Sequence, residues 1–313
     1  MISRRSFIQS ASIFTMGGLL ANKFEKANAL VPNVSVSQVT TVKKVIGLQI
    51  CSLGDELNED IPSGLKKLKQ MGYSTLELAG TAGVSLKDFK RMSDDAGLQI
   101  LSTHEGPDDK IYTKDNFEKI KDYWKKTADQ YAGIGLKYIV QASMPRPRSE
   151  EEAKFVCEVF NEAGKILEEH GLVYAYHNHH IEFARVVPGG KEPTFPFGFA
   201  EDLGTPIYDI YLQNTDPSLV GFEMDVFWVV MGQGDPVEYM QQYPKHIKLL
   251  HVKDNKILGK SGMINFESIF KQFYINGFKD YFVELERVPS GNGRRFEGVK
   301  ECCDYLLKAP FVK

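Results

Sequence analysis

Tyr174-Ala-Tyr-His-Asn-His-His-Ile-Glu-Phe183 places three histidines and a glutamate within six residues, at the end of the apolar run Gly171-Leu-Val-Tyr-Ala-Tyr176. A short apolar run bounded by glycine reads as a buried strand. Side chains alternate along a strand, so His177 and His179 share one face and Asn178 takes the other. Ionisable groups gathered at the end of a buried strand point to a site, because burying them without a partner or a task is costly. Satisfied polar residues at a strand–loop boundary are the plainer explanation. It suits a lone histidine better than His-x-His together with Glu182.

The same unit recurs on both sides: a short apolar strand, a polar loop, an amphipathic helix and a glycine. Strands are expected at 45–51, 74–78, 98–104 and 138–142, with helices at 61–71, 86–96 and 114–131. The helix after the fourth strand starts at Ser149, an N-cap with Glu152 as its capping-box partner, and stops at Gly171. Past the opening stretch, residues 188–203 are irregular and rich in Gly, Pro and Phe, and a helical piece is expected at 207–213. Strands follow at 219–225, 247–252 and 281–286, with helices starting at Asp235-Pro236, at 266–273 and at 296–307.

Eight strand–helix units in a row imply parallel pairing. A doubly wound sheet and a closed (β/α)8 TIM barrel both satisfy that. The count of eight favours the barrel, as does the lack of Gly-x-Gly-x-x-Gly after the first strand. The fold class is therefore α/β, a single (β/α)8 barrel over residues 45–313, preceded by a linker at 30–44. Residues 1–29 read as a twin-arginine signal peptide. Ser3-Arg-Arg-Ser-Phe-Ile fits that export signal, an apolar segment follows from Ala11, and Ala27-Asn-Ala29 has the form of a cleavage site. The expected location is the periplasm, with no stable membrane anchoring after cleavage. The net charge of −3 offers no strong field to nucleic acid. None of the four cysteines has Cys-x-x-Cys spacing, and Cys51 and Cys157 are expected as buried thiols.

In such a barrel the C-terminal strand ends converge on one face. Those ends supply Gln49, Glu77, His104, Gln141, His177, His179, Asp225, His251, Lys253, Glu284 and Glu286. Carboxylates and imidazoles from the fifth to the eighth strand form a set that a divalent metal ion takes, with Mn, Mg, Co and Zn all admissible. The aromatics Phe183, Phe227 and Trp228 are core residues or a sugar-stacking wall.

Tyr176-His-Asn-His179, Phe222-Glu-Met-Asp-Val-Phe-Trp228, His251-Val-Lys-Asp254 and Phe282-Val-Glu-Leu-Glu286 resemble the xylose isomerase-like TIM-barrel family of sugar phosphate isomerases/epimerases and inosose dehydratases. The resemblance covers about residues 45–308. It implies one divalent ion held by Glu182, Asp225, His251 and Glu284, with His177 as the alternative to Glu182. It also implies an isomerase or epimerase acting on a keto-sugar through an enediolate. The ion would be the Lewis acid, and His177, His179, Glu77 or Glu286 the catalytic base. Gln49, His104, Gln141, Lys253 and Trp228 are then candidates for substrate binding. Expulsion of a β-leaving group by the same apparatus would make a lyase or dehydratase acting on a keto-sugar or 3-keto-glycoside. An endonuclease IV-like hydrolase and a non-catalytic sugar-binding barrel are the readings from other classes, and both charge and signal count against the former. Members are often oligomeric, so a homo-oligomer stays open.

Overall fold

The computed structural model describes residues 44–187, 189, 193, 204–288 and 295–313. The expected signal peptide, nearly all of the expected linker and most of the segment at 188–203 lie outside the described residues. Eight runs rich in Ile, Val, Leu, Tyr and Phe form the strands, as β-branched and aromatic side chains favour. They are β1 Ile46–Gln49, β2 Tyr73–Leu78, β3 Gln99–His104, β4 Tyr138–Gln141, β5 Val173–His177, β6 Val220–Asp225, β7 Ile247–Val252 and β8 Asp280–Val283. Every neighbouring pair is parallel, and β1 closes the ring between β2 and β8. At that closure Gly47 sits opposite Phe282, where a β-carbon would run into the Tyr281 carbonyl.

Helices cover the outside: α1 Ile61–Met71, α2 Leu86–Asp95, α3 Phe117–Tyr131, α4 Glu150–Glu168, α5 Ile207–Asn214, α6 Val226–Met231, α7 Pro236–Gln242, α8 Phe266–Ile275 and α9 Arg295–Lys308. Their start signals act as expected. Ser149 Oγ accepts the Glu152 N–H at 3.2 Å, and Asp235 caps α7 with Pro236 in its first turn. The Glu152 carboxylate accepts the Arg148 N–H at 2.8 Å, one residue before the cap. Outward-facing strand residues build the layer between sheet and helices. There Tyr174 meets Trp124 at 5.2 Å and Tyr176 stacks on Phe160 at 4.8 Å.

The first and last strands are shorter than their apolar runs. β1 stops because the Gln49 side chain accepts the Cys51 N–H at 3.1 Å and starts a 3-10 turn. Beyond β8 the Leu285 N–H donates to Ser52 Oγ at 2.9 Å rather than to the sheet. The connection from β5 to β6 carries an antiparallel ribbon of Arg185–Val186 against Thr205–Pro206. Inside the barrel, Tyr138, Val140, Ala175, Leu249 and Phe282 form a small apolar plug. Ala175, Leu249 and Phe282 each lie two residues before an ionisable residue, so the strand period stacks the polar groups directly over the plug.

Candidate active site

Above the plug the barrel interior turns polar. Glu77, Glu223, Asp225 and His251 are fully buried, His177 is 2% exposed and Glu284 8%. Two layers are distinguishable. In the lower one, Glu77 Oε1 accepts from Gln49 Nε2 at 2.9 Å and lies 2.6 Å from His251 Nε2 and 3.0 Å from His104 Nε2. Glu77 Oε2 accepts from Ser102 Oγ at 2.6 Å. Glu223 Oε2 sits among three imidazoles, 3.1 Å from His251 Nε2, 3.2 Å from His104 Nε2 and 3.2 Å from His177 Nδ1. In the upper layer, His251 Nδ1 lies 3.2 Å from Glu284 Oε2, and His177 Nε2 is 4.0 Å from Asp225 Oδ2. Lys253, 1% exposed, joins this layer to the rim. Its Nζ is 2.9 Å from Glu284 Oε2, 3.0 Å from Glu286 Oε1, 3.7 Å from Asp225 Oδ2 and 4.7 Å from the Trp228 ring.

Burial would by itself push every carboxyl here up and every imidazole down. Partners decide the outcome. Burial raises Glu77, but the His104 and His251 imidazoliums outweigh it and hold its carboxyl well below the usual range. Burial lowers His104, yet the Glu77 and Glu223 carboxylates bring it to about 10. Glu223, desolvated and beside the Glu77 charge, is pushed up to about 7. Burial likewise takes Asp225 to about 7, against the pull of Lys253. His179 falls to about 4 through burial and the nearby Lys253 ammonium, so it is neutral at pH 7.

Of the residues expected at the site, Gln49, Glu77, His104, His177, His179, Asp225, Trp228, His251, Lys253, Glu284 and Glu286 are brought together. Two are not. Gln141 follows Val140, which faces the barrel interior, so its own side chain points outward. It donates to Tyr112 Oη and to the Ser143 carbonyl, and accepts from Tyr174 Oη at 2.9 Å. Tyr112 lines a cavity of about 930 Å³ with Met144, Arg146 and Phe155, and none of the clustered residues lines that cavity. Glu182 is the second. Its oxygens accept from Tyr176 Oη at 2.6 Å and from the His179 N–H at 2.8 Å, closing a capping box on the turn after β5. Three residues were not anticipated. Glu223 and Ser102 stand in the buried layer, and Cys51, expected as a buried thiol, is exposed and directs Sγ at Glu284 Oε1, 3.4 Å away.

A divalent ion fits the upper layer. One donor atom each from His177, Asp225, His251 and Glu284 lies within 4.8 Å of every other, and Asp225 Oδ2 is buried with no hydrogen-bond partner. Two imidazoles and two carboxylates are the mixed N/O set that such ions take. Glu182 stands outside this group, and His177 occupies the place expected of it. Glu182→Gln should therefore leave divalent-ion affinity by calorimetry unchanged. Burial holds the Glu182 carboxyl at about 7, above its ordinary 4.5. The stability tied to its proton is complete below pH 4.5 and is lost as pH rises through 7. Melting curves should show Glu182→Gln gaining on the wild type between pH 5 and pH 8.

The xylose isomerase-like TIM-barrel family model matches residues 65–308. A sugar phosphate isomerase/epimerase from Parabacteroides distasonis is 49% identical, with 86% of this chain and 100% of that one covered and a TM-score of 0.79. A second structure of that description from the same organism is 45% identical over 88% of this chain and 99% of its own, with a TM-score of 0.82. The inosose dehydratase of Clostridium beijerinckii is 25% identical over 78% of this chain and 91% of its own length. Matched family model, closed parallel barrel and close structural relatives agree, and the chain belongs to the xylose isomerase-like TIM-barrel family.

Proposed function

We propose that the protein is a divalent-metal-dependent isomerase or epimerase of a keto-sugar. The observation that carries this reading is the buried group of His177, Asp225, His251 and Glu284, with Asp225 Oδ2, which has no hydrogen-bond partner, among its donors. A divalent ion there supplies a Lewis acid for the carbonyl and neighbouring hydroxyl of the sugar. The rest falls to the chain. Trp228 offers a face on which a sugar can stack. Lys253, ammonium uppermost between Glu284 and Glu286, can donate to a sugar oxygen. Glu77 is a poor base, since both its oxygens are engaged and its carboxyl is held low. His179, neutral at pH 7, and Glu286, 41% exposed in its side chain, remain at the rim to take and return a proton.

Export by the twin-arginine route is part of the proposal. It supports a free keto-sugar or oxidised glycoside as substrate, because sugar phosphates are cytoplasmic metabolites. A lyase or dehydratase is the second reading, favoured by the inosose dehydratase relatives. Both are tested by incubating the Mn²⁺-loaded protein in D₂O with aldoses, ketoses and 3-keto-glycosides and following the products by NMR. Deuterium uptake with a rearranged sugar is expected. Loss of water or an aglycone, with or without uptake, would install the lyase instead, and neither uptake nor a new product from any of these sugars would reject both.

A further inference from the structure

The lower layer has no place in the reaction sketched above, yet it buries two carboxylates and the inner nitrogens of two ion-binding histidines. We infer that Glu77 is a positioning residue: held by Gln49 and Ser102, it fixes the His251 ring so that Nδ1 faces the divalent ion. The assignment rests on the metal-ion reading just given.

His251 is fully buried and lies between two carboxylates. Its Nε2 is 2.6 Å from Glu77 Oε1, and its Nδ1 is 3.2 Å from Glu284 Oε2. One nitrogen therefore belongs to each layer. Ion binding requires a ring nitrogen without its proton, and a strong acceptor on the opposite nitrogen determines which one that is. Glu77 is that acceptor. It is itself immobile: Gln49 Nε2 donates to Oε1 at 2.9 Å, Ser102 Oγ donates to Oε2 at 2.6 Å, and no part of the residue is exposed. His104 completes the arrangement. Its Nε2 sits between Glu77 Oε1 at 3.0 Å and Glu223 Oε2 at 3.2 Å, bridging the two buried carboxyl groups. Glu223 Oε2 lies 3.2 Å from His177 Nδ1 without a hydrogen bond between them, and His177 Nε2 lies 4.0 Å from Asp225 Oδ2. In this arrangement Glu77 acts through His251 and not on the sugar, its carboxylate being fully buried beneath the ion-binding layer.

The test uses the full mature protein, with Glu77→Gln and Ser102→Ala as variants and Glu182→Gln as the control. Mn²⁺ affinity is read by calorimetry, and the zinc-bound nitrogen of each histidine by ¹⁵N NMR of the Zn²⁺-loaded protein. Glu77→Gln is expected to weaken Mn²⁺ binding by about 10- to 100-fold, the range for partners of metal-binding histidines. Ser102→Ala, which only loosens Glu77, should weaken it by a smaller factor, and it carries the test if Glu77→Gln does not fold. His251 should bind Zn²⁺ through Nδ1. Unchanged affinity in both variants, in a wild type that does bind Mn²⁺, would overturn the assignment alone. Zinc on His251 Nε2 would overturn it by moving the ion into the lower group of His104, His177, Glu223 and His251. A wild type that takes up no ion would overturn the metal-ion reading and this assignment together.

Discussion

Asp225→Asn is expected to empty the ion site and to slow substrate proton exchange by at least about 10³-fold while the barrel stays folded. The two oxygens of Asp225 have separate duties. Oδ1 accepts the Trp228 N–H at 2.9 Å and caps α6, whereas Oδ2 is buried among the other donor atoms without a hydrogen bond. Asparagine caps a helix as well as aspartate does, so the start of α6 survives. Its amide nitrogen cannot ligate a cation, so the ion loses one of two carboxylates. Polarising a substrate carbonyl is worth several kcal/mol to such a reaction, and about 4 kcal/mol corresponds to roughly a thousandfold in rate. Calorimetry for Mn²⁺, exchange in D₂O and a melting curve separate the three effects. A variant that still binds the ion and exchanges normally would remove Asp225 from the chemistry.

The second large effect is on stability. Lys253→Met should destabilise the ion-free protein by about 3 kcal/mol, and saturating Mn²⁺ should restore much of the loss. The ammonium is 1% exposed and touches Asp225, Glu284 and Glu286. Methionine matches its stem but carries no charge, so Asp225 loses its nearest cation and Glu284 keeps only His251 as an ion-pair partner among the described residues. Breaking a buried pair from one side costs about 3–5 kcal/mol. The lower end applies because Glu286, at 41% exposure, is solvated on its own account. A divalent ion between the same two carboxylates replaces the missing charge, and binding to the folded state alone raises stability by mass action. Urea unfolding with and without Mn²⁺ reads both parts. Equal loss in the two conditions would mean that Lys253 neutralises groups the ion does not reach.

Much of this barrel was legible because its strands are short apolar runs that end in a polar residue and reset at a glycine. Their ends converge in space without any one of them being individually diagnostic. Asp225, His251 and Glu284 stand out for that reason. The misplacements share a cause: a residue's chemistry outweighed the face it sits on. Glu182 looks like a ligand, but it lies three residues after His179, the spacing of a capping box, and the backbone takes its carboxylate. Gln141 ends a strand, yet Tyr138 and Val140 already fill the inward positions of β4. Glu223 was readable by the same alternation, two residues before Asp225 on the inner face, but a glutamate amid an apolar strand offers no partner in its own neighbourhood. Its partners come from β3, β5 and β7, far apart in the chain.

The ribbon between β5 and β6 bears on how this scaffold can be remodelled. Arg185–Val186 pairs with Thr205–Pro206, the Ile207 N–H donates to the Ala184 carbonyl at 3.0 Å, and Arg185 Nη1 reaches the Gly204 carbonyl at 2.9 Å. These contacts clasp the two ends of the intervening stretch beside the barrel rim. For a flexible closed loop, doubling the number of residues adds only about 0.6 kcal/mol of closure entropy. Segments of different length and composition can therefore be grafted between Val186 and Thr205 without disturbing the strands that hold the ionisable cluster. The ionisable cluster and the stretch between those ends thus place separate demands on the fold, and the clasp is where the two meet.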